Sequence, residues 1–86
     1  MKVIVDDKIP YLIRPLRAAT EVVALPAADI TPAAVRDADA LIIRTRTRCD
    51  EALLAGSSVR FIATATIGFD HIDTAWCEAH GISWTN

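Results

Sequence analysis

Two short stretches hold the side chains best suited to grip a charged small molecule. The first is Arg44-Thr45-Arg46-Thr47-Arg48, where three guanidinium groups alternate with two hydroxyls. A guanidinium is a planar fork of N–H donors that matches a carboxylate or phosphate through two parallel hydrogen bonds. In extended backbone, alternate side chains share a side, so the three arginines would face one way and Thr45 and Thr47 the other. The second stretch is Thr64-Ala65-Thr66-Ile67-Gly68. There the Thr66 hydroxyl and the N–H groups of Ile67 and Gly68 could hold an oxygen of an anion. Gly68 would free the backbone to turn or let a ligand come close. Thr64 reads as a structural strand residue. Both stretches also have a plainer reading. The arginines could form a solvated turn paired with Asp37, Asp39 or Asp50, where exposed ion pairs are worth little. The threonines could simply suit a strand and its exit.

Other polar groups suggest less. Asp70, His71 and Asp73, or Cys77 with His80, could be drawn as metal ligands, but neither set has the number or spacing of a zinc site. Asp70 and Asp73 read more simply as an N-cap and a first-turn acid facing the helix dipole. His71 and His80 read as surface histidines near the two ends of that helix. Asp6-Asp7, after the first apolar run, reads as a solvated turn. No G-x-G-x-x-G, no P-loop and no nucleophile–base spacing occurs in the chain.

An alternation of strands and helices must position these stretches. Val3-Ile4-Val5 opens as a buried strand. Pro10 suits the first position of a helix, whereas Pro15 would lose a hydrogen bond inside one. An irregular or 3₁₀ turn is therefore expected over Pro10–Ile13, with a regular helix from about Pro15 and an apolar face of Tyr11, Leu12, Leu16 and Ala19. Glu21–Leu25 is the second strand, ended by Pro26. Thr31-Pro32 is an N-cap and N1 proline for a short helix over Ala33–Val35. Ala40–Ile43 is the third strand. Asp50 caps Glu51–Ala55, which Gly56 ends. Phe61–Ala65 lacks charge and polar alternation, as in a parallel strand covered on both faces. Asp70 would cap a helix starting at His71, with Ile72, Ala75, Trp76 and Ala79 on its buried face and Gly81 as its stop. Ile82–Thr85 is the last strand. The order β-α-β-α-β-α-β-α-β implies an α/β fold with a parallel, flavodoxin-like sheet and helices on both faces. Loops leaving strand carboxyl ends toward helix N-termini suit anions.

Bulk composition excludes several classes. The 86 residues are 52% hydrophobic and 23% charged with net charge −2. They fit one small, ordered domain with a thin stability margin and give no electrostatic case for nucleic acid. No apolar run approaches the roughly 20 residues of a membrane helix. Lys2 is followed by a short apolar run and then Asp6-Asp7, unlike a secretory leader. Cys49 and Cys77 read as reduced thiols in a cytoplasmic protein. The chain stops at Thr85-Asn86, directly after a strand, which is expected of a piece of something longer.

Ile43–Thr47 reads I-R-T-R-T, and Thr64–Asp73 reads T-A-T-I-G-F-D-H-I-D. With the opening V-I-V-D-D, the D-A-D-A-L at Asp37–Leu41 and the late G-I-S-W-T-N, they resemble the N-terminal region of the D-2-hydroxyacid dehydrogenases. The resemblance runs over essentially all 86 residues. The G-x-D-x-I/V-D element is shared by the wider family. The T-A-T-x-G-x-D-H-x-D form, with I-R-[ST]-x-T, is closer to the branch acting on 4-phosphoerythronate.

The resemblance implies a parent with two domains. Residues 1–86 would be the N-terminal part of a flavodoxin-like substrate-binding domain, completed by a returning segment, with an NAD-binding Rossmann domain inserted after it. The implied reaction is oxidation of 4-phospho-D-erythronate at C2, with hydride passed to NAD, in pyridoxal phosphate synthesis. The parent would be a cytoplasmic homodimer. The family's catalytic residues and NAD glycine motif would lie beyond Asn86, so this piece would be inactive alone and hold no catalytic, cofactor or metal residue. Thr45 and Thr66 fall where the family contacts substrate, and Arg44 matches a neighbouring arginine suited to phosphate. Arg46 and Arg48 match less well. Two rival readings remain. One is a self-contained phosphate- or carboxylate-binding regulatory module. The other is a receiver-like signalling domain, against which Arg44 stands where an acidic phosphorylation site would be needed.

Overall fold

Residues 1–86 are described by a computed structural model. Five apolar runs become β1 (Lys2–Asp6), β2 (Glu21–Leu25), β3 (Ala40–Ile43), β4 (Phe61–Thr64) and β5 (Ser83–Thr85). Between them lie α1 (Pro10–Arg17), α2 (Pro32–Val35), α3 (Glu51–Leu54) and α4 (Thr74–Ala79), with a 3₁₀ turn at Ala27–Asp29. Every strand pairing is parallel, and the order across the sheet is β2-β1-β3-β4-β5. This is the flavodoxin-like order, whose direction reverses between β1 and β3.

Alternation along the strands divides the core into two layers. Ile4, Leu41, Ile43 and Ile62 point to one side, where Val35, Leu53, Leu54 and Cys77 of α2, α3 and α4 cover them. Val3, Val5 and Ala40 point to the other, under Ile9 and the half-buried Leu12, Ile13 and Leu16 of α1. The second layer does not reach β4. Ile62 and Thr64 are buried, but Phe61 and Ala65 are exposed, so the expected cover on both faces holds only for the centre of the sheet.

Local chemistry sets most element ends. The Thr31 hydroxyl accepts the Ala34 N–H at 3.3 Å, with Pro32 at N1. The Asp50 carboxylate accepts the Leu53 N–H at 3.2 Å. Gly56 and Gly81 follow α3 and α4 with φ of 77° and 74°, the left-handed region that glycine enters without a Cβ clash.

Two helices depart from expectation. α1 is regular from Pro10 and runs through Pro15. Pro15 lies on the exposed side, so the carbonyl it leaves without a partner faces water. Tyr11 is exposed, and Ile13 takes its place on the packed face. α4 starts three residues later than expected, capped by Asp73, whose carboxylate accepts the Trp76 N–H at 3.1 Å. Asp70 is exposed and is no cap, and His71 precedes the helix. Cys77 is the buried residue of α4, while Ala75 and Ala79 face solvent.

Candidate functional site

The loops following β3 and β4 leave adjacent strands at the same end of the sheet. They are joined by backbone. The Ala65 N–H donates to the Ile43 carbonyl at 2.9 Å. Further out, the Cys49 N–H donates to the His71 carbonyl at 2.8 Å and the Asp73 N–H to the Cys49 carbonyl at 2.8 Å, an isolated parallel bridge between Cys49 and Ile72. Backbone pairing of this kind fixes the spacing of the two loops independently of their side chains.

The loop from Arg44 to Asp50 is folded, not extended. The Thr47 N–H donates back to the Arg44 carbonyl at 3.2 Å, closing a turn. The expected alternation therefore fails: Thr47 is buried while Thr45, Arg46 and Arg48 are exposed. The three arginines are not equivalent. Arg44 is half-buried, with its Nε 3.1 Å from Oδ2 of Asp6, which is wholly buried at the end of β1. The contact is close but not aligned as a hydrogen bond, so its attraction is chiefly coulombic. Arg48 pairs with Asp50 at 3.1 Å on the surface. Asp37, the other proposed counter-ion, pairs instead with Lys2 at 2.9 Å. Asp6 is thus no solvated turn residue. Its Oδ1 also accepts the Lys8 N–H at 2.9 Å. Cys49 is fully buried, and burial, followed by the neighbouring Cys77 and Asp50, pushes its thiol pKa up to about 12. It is an inert packing residue at neutral pH.

The loop after β4 is held by a line of neutral groups. His71 Nε2 lies 2.8 Å from Thr64 Oγ1, which lies 2.8 Å from Thr66 Oγ1, which donates to the Gly68 carbonyl at 3.0 Å. His71 and Thr64 are buried, correcting the view of His71 as a surface residue. Burial pushes the His71 pKa below its ordinary value against a weaker opposing pull from Asp70. Neither Ile67 nor Gly68 donates its N–H to another backbone group. Gly68 does not have positive φ, and a Cβ there would meet nothing within 4 Å, so the turn itself does not demand glycine. Thr64, Thr66, Ile67 and Asn86 border an open hollow of about 530 Å³. Its rim is tied to β5, because the Asn86 side-chain amide donates to the Ile67 carbonyl at 2.6 Å and the Phe69 and Trp84 rings lie 4.8 Å apart.

A second hollow, about 390 Å³, lies between α3 and α4 near Arg60 and Ile82, which precede β4 and β5. It is therefore at the opposite end of the sheet, away from both loops. The structure has no cluster of three His, Cys, Asp or Glu side chains able to hold a metal ion. No helix is long and apolar enough to cross a membrane.

Arg44, Thr45, Thr66, Ile67 and Gly68 thus lie on two stitched loops at one end of the sheet, although no hydrogen bond links the side chains of the first loop to those of the second. Sequence reasoning missed Asp6, Thr64 and His71. Asp6 had a signal, since it ends the strand beside the reversal in strand order. His71 lies seven residues from Thr64, a separation with no fixed meaning across a loop.

A parallel sheet in the 2-1-3-4-5 order, with polar loops gathered where β3 and β4 end, defines the class. The chain belongs to the D-isomer specific 2-hydroxyacid dehydrogenase, catalytic domain family, whose model matches residues 3–86. Among solved structures, it superposes on an NAD+-bound 3-phosphoglycerate dehydrogenase of Entamoeba histolytica with a TM-score of 0.83 and 28% identity, over 100% of this chain and 32% of that one. More specifically, it is 68% identical over 87 residues to an erythronate-4-phosphate dehydrogenase of Bacteroides fragilis, covering 100% of this chain and 25% of that protein. A protein of the same name from Bacteroides thetaiotaomicron is 59% identical with the same coverage. The chain spans about a quarter of the length of these relatives.

Proposed function

We propose that this chain forms the front part of the substrate-binding domain of an NAD-dependent dehydrogenase that oxidises 4-phospho-D-erythronate at C2. The substrate assignment draws on the names of the Bacteroides relatives and their identity across the whole chain. The geometric observation that carries the binding role lies at that end of the sheet. Two backbone N–H groups, at Ile67 and Gly68, have no backbone acceptor and directly follow Thr66, which with Ile67 borders an open hollow. A carboxylate oxygen accepting from these donors would be held by charge-assisted hydrogen bonds. Arg44 and Thr45 would meet the other anionic end, so that C2 is presented outward. Asp6 restrains the Arg44 guanidinium in advance, and restraint before binding lowers the ordering cost of the complex.

The residues present do not fit a dinucleotide. Gly56 and Gly81 close helices, Gly68 stands alone, and no glycine-rich turn opens a helix after a strand. In this reading NAD is held by another part of the polypeptide, in a separate Rossmann domain, and the 86 residues position substrate without performing the oxidation. The parent is read as a cytoplasmic homodimer, which sedimentation of the full-length protein would check.

The test is kinetic. In the full-length enzyme, Arg44→Ala should raise KM for 4-phosphoerythronate by roughly tenfold, the loss of one charge-assisted contact, and leave kcat nearly unchanged, because binding to ground and transition state falls equally. Unchanged KM would return Arg44 to a purely structural partner of Asp6.

A further inference from the structure

We infer that His71 is a positioning residue that, through Thr64, turns the Thr66 hydroxyl proton away from the buried line and onto the Gly68 carbonyl, from which an acceptor oxygen of a ligand in the hollow can take it over. The inference rests on the reading of Thr66 as a substrate contact and adds the device that sets its polarity.

Proton counting gives the direction. The Gly68 carbonyl can only accept, so the single Thr66 proton goes to it. Thr66 has no proton left for Thr64, so the 2.8 Å contact between them is a donation from Thr64 to Thr66. Thr64 has then spent its own proton, and its 2.8 Å contact with His71 Nε2 must be a donation from the ring. The three bonds coexist only if His71 carries a hydrogen on Nε2. Both inner members are buried, with Thr64 5% and His71 8% exposed, so water does not readily substitute for either. An unpaired member would bear the desolvation cost of a lost partner. The line ends at the half-buried Thr66, which borders the hollow.

The consequence is chemical. An incoming carboxylate or phosphate oxygen can replace the Gly68 carbonyl as acceptor without reversing any bond behind it. A ligand hydroxyl that donated would meet the remaining lone pair of Thr66, so the line sets where the Thr66 proton points without closing the site to donors. The N–H groups of Ile67 and Gly68, which have no backbone acceptor, add two more donors to the same loop.

The experiment uses the full-length protein labelled with ¹⁵N at histidine. Nitrogen shifts of His71 should show Nε2 protonated and Nδ1 bare, and a bare Nε2 would overturn the inference without bearing on substrate identity. Kinetics then separate the two levels. Thr66→Val should raise KM for 4-phosphoerythronate about tenfold, and an unchanged value would overturn both the substrate reading and this extension. His71→Leu should raise KM by a similar factor with kcat nearly constant, while His71→Gln, which keeps a donor at comparable reach, should recover most of the loss. If Thr66→Val is impaired but His71→Leu binds substrate normally, the positioning role fails and the substrate reading stands. Should His71→Leu fold poorly, Thr64→Val interrupts the same line. Normal KM in that variant would equally overturn the inference.

Discussion

The loop after β3 and the loop after β4 lie side by side, yet different physics holds each in place. The first is organised by charge. Arg44 leans on buried Asp6 and Arg48 on Asp50, both at 3.1 Å. The second is organised by a neutral line of imidazole and two hydroxyls ending on a carbonyl. Charge pairing leaves Arg44 and Arg48 of the first loop already partnered, and Arg46 exposed without an ion pair, so in the proposed reading a ligand would share Arg44 with Asp6. The neutral line consumes no backbone N–H, so Ile67 and Gly68 keep theirs for a ligand. In the proposed reading, the β4 loop would supply neutral hydrogen-bond donors to an anion and the β3 loop its longer-range attraction.

The largest expected effect falls on the buried end of the charge pair. Asp6→Ala leaves a half-buried guanidinium beside an apolar cavity, and should lower stability by about 2–3 kcal/mol in urea unfolding. A loss below 1 kcal/mol would show that water reaches Arg44 and that the first loop is no more than a solvated turn. Next is the neutral line. Thr64→Val removes its middle member and strands the His71 and Thr66 groups, for about 1–2 kcal/mol.

The pH dependence of the second loop should follow His71. Its folded pKa lies below the ordinary value of 6.5 because burial disfavours the cation. The unfolded chain therefore binds the proton first, and stability falls as pH drops from 6.5 through the folded pKa. His71→Gln should flatten that part of the stability profile, measured by urea midpoints at closely spaced pH. An unchanged slope would place the titration elsewhere. The smallest effect belongs to the exposed pair. Arg48→Ala should change stability by no more than ~0.5 kcal/mol, and a larger loss would mean the surface turn is more rigid than its exposure implies.

Much of this frame is legible from residue types. β2 and β3 have the bounds expected from the sequence, and Thr31-Pro32, Asp50, Gly56 and Gly81 mark helix ends by local chemistry alone. The site was legible in part. Its location follows from two strand exits, but the conformation of the arginine loop does not, because the bond from Thr47 back to Arg44 overrides the extended pattern that alternation suggests. Pro15 misled for a related reason. Its cost inside α1 depends on which side faces water, and that is decided by packing against β1 and β2. Asp70 and Asp73 are equivalent as capping residues, and the Cys49–Ile72 bridge favours the later one by holding the chain extended through Ile72. His71 was hidden because its partner is set by the path of a loop.

The central claim is that both loops serve one anionic ligand. Titration of 4-phosphoerythronate into ¹⁵N-labelled protein tests it most directly. The amides of Ile67 and Gly68 and that of Thr45 should move together along saturation curves sharing one Kd. Shifts confined to the hollow between α3 and α4, or two loops saturating at different concentrations, would contradict it.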